Sequence, residues 1–163
     1  MERPSHDPLE QAAAEVAEAI QSYRADVERL FRGEGPTEAV FRWIDPSFQA
    51  YYGIPRVNDK LVAYSEAEEK AGFIEAAAAY SVRGGAPMTL PWMRLIARSP
   101  NEVMAAYEIC QIGPRFWDRA LVLEVWRRGA DSTWRVIRQT MEQEERRSPT
   151  DDQPRSPVPM VTI

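Results

Sequence analysis

WMRLIARSPNEVMAAYEICQIGPRFWDRALVLEVWRRGADSTWRVIRQTME, residues 92 to 142, is the stretch in which apolar side chains begin to recur at every second position. That period belongs to strands, and the turn residues inside it cut it into four. The first runs from Trp92 to Arg98, with Met93, Leu95 and Ala97 on one face and Arg94 and Arg98 on the other. Ser99-Pro100-Asn101 turns the chain into Val103 to Ile112, where Ala105, Tyr107, Ile109 and Gln111 alternate with Met104, Ala106, Glu108 and Cys110. Gly113-Pro114 leads to Ala120 to Arg128, and Gly129-Ala130-Asp131 to Trp134 to Glu142. Short connections between successive strands predict an antiparallel meander.

Upstream the period is helical. Asp7-Pro8-Leu9-Glu10 opens a helix with an N-cap acid, a proline at the first turn and a glutamate three residues after the cap. Leu9, Ala13, Val16, Ile20, Tyr23, Val27 and Leu30 form one stripe, and Gly33 stops it. Pro36 to Ile44 reads as a short second helix ended by Asp45-Pro46, and Phe48 to Tyr52 as a strand closed by Gly53. A turn-rich stretch follows around Asn58 and Asp59. Ser65-Glu66-Ala67-Glu68 is a capping box, and the alanine-rich run to Tyr80 a third helix, ended at Gly84-Gly85. Helices first and a meander last predict an α+β domain. It spans residues 8 to 143, between an N-terminal tail, 1 to 7, and a flexible Pro-rich tail, 144 to 163.

With 163 residues the chain has the size of one domain. The charge-free runs, ten residues at most, are too short for the roughly 20 that a membrane span needs, and no signal-peptide h-region follows Met1. A cytoplasmic location is the expectation, and the excess of arginine over lysine, 18 to 2, hints at a bacterial GC-rich genome. A net charge of -5 argues against nucleic-acid binding. One cysteine, Cys110, and one histidine, His6, cannot supply a structural zinc site, and no metal or other cofactor is expected.

The order of elements resembles the nuclear transport factor 2-like superfamily, the cone-shaped fold shared by ketosteroid isomerases and SnoaL-type polyketide cyclases. The likeness is carried by Ile20-Gln21-Ser22-Tyr23 with Phe31-Arg32-Gly33-Glu34, by Ile44-Asp45-Pro46-Ser47-Phe48, and by the hairpin Leu121-Val122-Leu123-Glu124-Val125-Trp126-Arg127-Arg128 with Trp134-Arg135-Val136-Ile137. It implies N-terminal helices packed in a strongly curved antiparallel sheet whose concave face lines a pocket. Met93, Leu95, Ala97, Ala105, Tyr107, Ile109, Gln111, Leu123, Val125, Ile137, Gln139 and Met141 are then expected inside. Arg94, Arg98, Glu108, Glu124, Trp126, Arg138 and Glu142 are expected outside.

By the same resemblance Tyr23 stands where the family has a helical tyrosine able to hold an oxyanion. It fills the helix stripe equally well. At the general-base position the chain offers Tyr51 and Tyr52 instead of an acid, and at the second acid Leu123, with Glu124 adjacent. A slip of one residue would exchange those two. The isomerase constellation is therefore absent in this register. Asp45 reads as a turn residue, Glu108 and Glu124 as cross-strand partners of outer-face arginines, and Cys110 as a small buried hydrophobe.

The candidate catalytic residues are Tyr23, Tyr51 and Gln139. Trp43, Trp92, Tyr107, Gln111, Leu123, Ile137 and Met141 are the candidate substrate contacts. Such a set orients a carbonyl or hydroxyl and lacks a nucleophile for hydrolysis. The expected function is a SnoaL-like isomerase, cyclase or dehydratase acting on a small apolar oxygenated molecule, of the kind found in secondary metabolism. A non-catalytic binder of a hydrophobic ligand and a dimerisation module are the alternatives. A homodimer is expected through the convex face, with Trp126, Ile96, Val122, Val136 and Trp134 as its apolar content.

Overall fold

The period-two alternation becomes four strands of one sheet in a computed structural model that describes residues 7–54, 58–82, 84, 85, 87–113 and 116–147. Among these, the chain runs α1 (Pro8–Phe31), α2 (Thr37–Phe41), β1 (Ile44–Ile54), β2 (Asn58–Ser65), α3 (Glu66–Ser81), β3 (Met88–Thr89), β4 (Met93–Ser99), β5 (Glu102–Gly113), β6 (Phe116–Arg128) and β7 (Trp134–Arg147). The strand order is β2-β1-β7-β6-β5-β3, with β4 also paired to β5. The last strand continues past the expected domain end at 143. The tails 1–6 and 148–163 lie outside the described residues.

The sheet is curved, as expected; it is also unclosed, and it is not wholly antiparallel. β1 runs parallel to β7, because it enters from α2 at the closing hairpin and continues in the same direction. The second helix is shorter than expected, and Ile44 already belongs to β1. Asp45 accepts from the backbone N–H and hydroxyl of Ser47 at 2.8 and 2.6 Å, a local turn inside a strand whose register against β7 shifts between Ile44 and Gln49. A bulge accommodates Pro46, which has no N–H for the ladder. The stretch read as turns from Asn58 opens β2, the edge strand.

α1 packs its stripe on the concave face, burying Val16, Ile20, Tyr23, Val27 and Leu30 with Trp126, Val122, Tyr107 and Val136 of the sheet. Leu9 stays exposed, and Ala12 takes the buried place at that end. The capping box of α3 is present: Ser65 accepts from the Glu68 N–H while the Glu68 carboxylate accepts from the Ser65 N–H. Ser65→Ala removes one side of it. Thermal unfolding should then show a loss of about 1 kcal/mol, and an unchanged midpoint would mean that packing alone fixes this helix end.

Register then assigns the faces. Ala105 lies opposite Glu124, Tyr107 opposite Val122, and Val103 opposite Trp126. Since cross-strand partners share a face, Ala120, Val122, Glu124 and Trp126 point inward. The β6 assignment was therefore one residue out. Leu123 is 48% exposed on the convex side, whereas Glu124 and Trp126 are buried. The faces of β4 and β5 are as expected for Met93, Leu95, Ala97, Ala105, Tyr107 and Ile109.

Candidate functional site

Three charged residues occupy positions that the apolar periods would reserve for core. Arg24 falls on the α1 stripe between Ile20, Tyr23 and Val27. Glu69 falls on the α3 stripe with Phe73, Ala76 and Tyr80. Glu124 alternates with Val122 and Trp126 on β6. All three are buried. Burying unpaired charge is costly, so each has partners.

Arg24 and Glu124 form an ion pair at 2.9 Å. The Arg24 Nε donates to the Tyr107 hydroxyl at 3.0 Å, and Nη2 donates to the same oxygen. Trp126 Nε1 donates to the second Glu124 oxygen at 2.7 Å. Burial pushes the Glu124 carboxyl up, and Arg24, Tyr107 and Trp126 hold it down in part. Burial also acts against the Arg24 charge, but Tyr107 and Glu124 outweigh it, and the guanidinium stays protonated. Among the described residues Nη1 makes no hydrogen bond, so one donor of this group remains unused.

Beside this pair, between α1, α3 and the concave face, lies a cavity of about 370 Å³. Val27, Phe31, Phe73, Tyr80, Ile109 and Met141 supply apolar wall, while Arg24, Tyr52, Glu69, Gln111 and Gln139 supply polar groups. Glu69 is 7% exposed. The Tyr52 hydroxyl donates to its two oxygens, at 2.7 and 2.8 Å, and accepts from Gln139 Nε2 at 2.8 Å. A phenol has one proton, and its use on Glu69 fixes the Gln139 amide with nitrogen toward Tyr52. Burial raises the Glu69 pKa, and the Tyr52 hydrogen bond and Arg24 offset only part of that. A carboxylate of this kind, desolvated at the wall of an apolar cleft, is a stronger base than an ordinary glutamate and so a candidate for proton transfer.

Of the residues anticipated at the site, Gln139, Gln111 and Met141 line the cavity. Tyr107 stands behind it as a partner of Arg24. Tyr23 is buried with its ring edge-on to Trp126 and Phe73, centroids 6.0 and 6.4 Å away. Its hydroxyl is pushed far up by burial, with the neighbouring Arg24 acting against it.

The others lie elsewhere. Tyr51 pairs with Thr140 and so faces away from Tyr52, which occupies the inward position. Leu123 is on the convex side. Ile137 is the bulge residue between Val136 and Arg138 and is not part of the wall. Trp43 packs on Trp126 and donates to Asp26 at 2.9 Å, and Trp92 donates to Glu108 at 2.8 Å on the outer face. Glu108 is on that face as expected, but Trp92 and Arg119 cover it. Arg24 and Glu69 were not singled out in the sequence, Tyr52 was offered beside Tyr51, and Glu124 was placed on the outer face; the structure puts all four at or beside the cavity.

A second cleft, about 470 Å³, lies over Ser22, Asp26, Arg29, Arg32 and Arg42. Its arginines are already paired, Arg29 and Arg42 with Asp26 and Arg32 with Glu28 and Glu34. It offers no apolar wall comparable to that of the first. Among the described residues no group of three His, Cys, Asp or Glu side chains could hold a metal ion. No helix there is long and apolar enough to cross a membrane.

No family model matches the chain, and no curated protein matches it in sequence. Solved structures do match in fold. A nuclear transport factor 2-like protein of unknown function from Pseudomonas aeruginosa superposes with a TM-score of 0.66 at 13% identity, over 80% of this chain and 98% of that one. A candidate scytalone dehydratase from Novosphingobium aromaticivorans gives 0.65 at 13% identity, over 94% and 99%. The hexachlorocyclohexane dehydrochlorinase LinA-type3 from Novosphingobium barchaimii gives 0.60 at 11%, over 88% and 96%.

Proposed function

We propose that this chain, whose fold is that of the nuclear transport factor 2-like proteins, is a small-molecule enzyme that moves a proton within an apolar cavity. It would act as an isomerase, cyclase or dehydratase on an apolar oxygenated molecule, with Glu69 as the proton-transfer group. The observation that carries this is the Glu69 carboxylate, raised in pKa by burial and held by Tyr52 at the wall of a cavity large enough for a small molecule. Glu69 as carboxylate removes a proton from carbon beside a carbonyl. The free Nη1 of Arg24 is the available donor for the oxyanion that develops. Gln139 orients Tyr52, and Tyr52 in turn fixes the carboxylate. Among the structural neighbours are a candidate scytalone dehydratase and a dehydrochlorinase, named for reactions of elimination, which is in keeping with proton removal, beside a candidate aromatic ring hydroxylase; the support rests on fold alone.

The test is proton exchange. In deuterated buffer a cyclic ketone such as 2-tetralone should take up deuterium beside its carbonyl faster with the protein than without it, read by NMR. A rate equal to that of buffer for a panel of such ketones would leave the non-catalytic ligand-binding reading in its place.

A homodimer remains part of the proposal, on a corrected surface. Val122, Trp126, Trp134 and Val136 are inward and buried, so they cannot form it. The convex face still exposes Ile96 at 65%, Met104 at 42% and Leu123 at 48%, and register makes them neighbours: Ile96 lies opposite Met104, and Leu123 opposite Ala106. Leu123→Glu should turn a dimer into a monomer in sedimentation. A wild-type protein that sediments only at 18.6 kDa at micromolar concentration would refute the dimer.

A further inference from the structure

α3 carries a glycine in mid-helix that folding does not explain. Gly72 sits near the middle of its 16 residues, in a run otherwise rich in alanine, and glycine in a helix interior costs stability relative to alanine. Two needs usually account for one: a backbone angle that other residues avoid, or a neighbour too close for a side chain. Gly85 meets both, with φ +80° and Arg32 standing where its Cβ would go. Gly72 meets neither. It is helical and not among the positive-φ residues, and a Cβ on it would meet nothing of the surrounding structure within 4 Å.

Its place in the cavity is what sets Gly72 apart. It belongs to the wall of the cavity of about 370 Å³ that also contains Glu69 and Tyr52. Most of that wall is buried or half-buried, and among the described lining residues only Glu68 and Gly72 are exposed. They lie four apart on α3, one turn of helix, and so form one stretch of rim. Glu69, on the adjoining stripe with Phe73, is 7% exposed, so this rim borders the wall that holds the carboxylate. A side chain at position 72 would lean toward the turn carrying Glu68, across the exposed stretch.

We propose that Gly72 is the entrance of the cavity, and that the absence of a side chain there sets the girth of the molecules admitted. Stability that alanine would add to α3 is given up for access. This role rests on the cavity being the small-molecule site proposed above, and it adds where the substrate enters: at the Glu68–Gly72 turn, beside the proton-transfer group.

The probe is N-phenyl-1-naphthylamine, an uncharged molecule that fluoresces in apolar surroundings, mixed with the full chain by stopped flow. Gly72→Gln puts a long helix-forming side chain on the rim, and Ala78→Gln puts the same one at an exposed position of α3 outside the lining. Gly72→Gln should slow association and dissociation alike by about tenfold or more, since the probe then enters only when the helix moves aside. Its dissociation constant should stay within about twofold of wild type, because a barrier at the entrance leaves both end states as they were. Ala78→Gln should keep wild-type rates. Gly72→Ala should raise the unfolding midpoint by about 2–4 °C. An unchanged or lower midpoint would mean that folding uses the glycine, and would overturn the proposal. So would wild-type rates in Gly72→Gln, equal slowing in Ala78→Gln, or no probe bound to wild type. Gated rates without proton exchange on ketones would sink the catalytic reading and leave this one standing. Proton exchange with ungated rates would do the opposite.

Discussion

Glu69→Gln is expected to slow proton exchange in the cavity by about 10²- to 10⁴-fold, the usual worth of a positioned general base, with the fold intact. Glutamine keeps the shape and can still accept from Tyr52, but it cannot take a proton. In the wild type the rate should rise with pH through the raised pKa of Glu69, since the carboxylate is the active form and burial holds it protonated to higher pH than usual. Tyr52→Phe removes a hydrogen bond that favours the carboxylate, so the profile should move to still higher pH. Stability carries the opposite sign. Between the ordinary glutamate range and the raised value, the folded protein keeps a proton that the unfolded chain has lost. The Glu69 contribution to stability therefore falls as pH rises through that window. Glu69→Gln should remove that fall and be the more stable protein above it. An undiminished exchange rate in Glu69→Gln would reject Glu69 as the base.

The fold was legible where local rules and tertiary context agree. The stripe of α1, the capping box of α3 and the alternation of β4 and β5 each follow one period, and each became the element expected. β2 was not legible, because Asn58 and Asp59 carry turn chemistry and an edge strand needs only one neighbour to override it. The parallel pairing of β1 with β7 leaves no mark on either strand, since it depends on where α2 delivers the chain.

The site was legible in its amides and illegible in its charges. On β6 both faces are apolar, Leu121, Leu123 and Val125 on one and Val122 and Trp126 on the other, so hydrophobicity cannot choose between them. Glu124 tipped the reading outward because a carboxylate belongs in water unless something pairs with it. What pairs with it is Arg24, a hundred residues earlier in the chain. The signal was present in a different form. Arg24, Glu69 and Glu124 each interrupt an otherwise apolar stripe, and charges on core-facing stripes call for buried partners: Arg24 and Glu124 meet each other, and Glu69 meets Tyr52.

Arg24→Met tests that meeting directly and should be the most destabilising single change at the site. The substitution keeps length and apolar bulk but leaves Glu124 buried without its cation. Breaking one side of a buried pair costs about 3–5 kcal/mol, which for a domain of this size lowers the unfolding midpoint by roughly 10 °C or more. Tyr107 loses its two donors from the guanidinium as well. Replacing both partners, Arg24→Met with Glu124→Leu, removes the stranded charge and should recover most of the loss, since apolar replacements of a buried pair are often neutral. Acidity supplies an independent check. Burial already raises the Glu124 pKa, and without Arg24 it rises further, so the ionised form is the costly one. The deficit of Arg24→Met should therefore shrink in mildly acidic buffer, where Glu124 takes a proton, and persist in alkaline buffer. In the double variant that pH dependence should vanish. A single variant as stable as wild type at every pH would mean that the pair contributes nothing to folding.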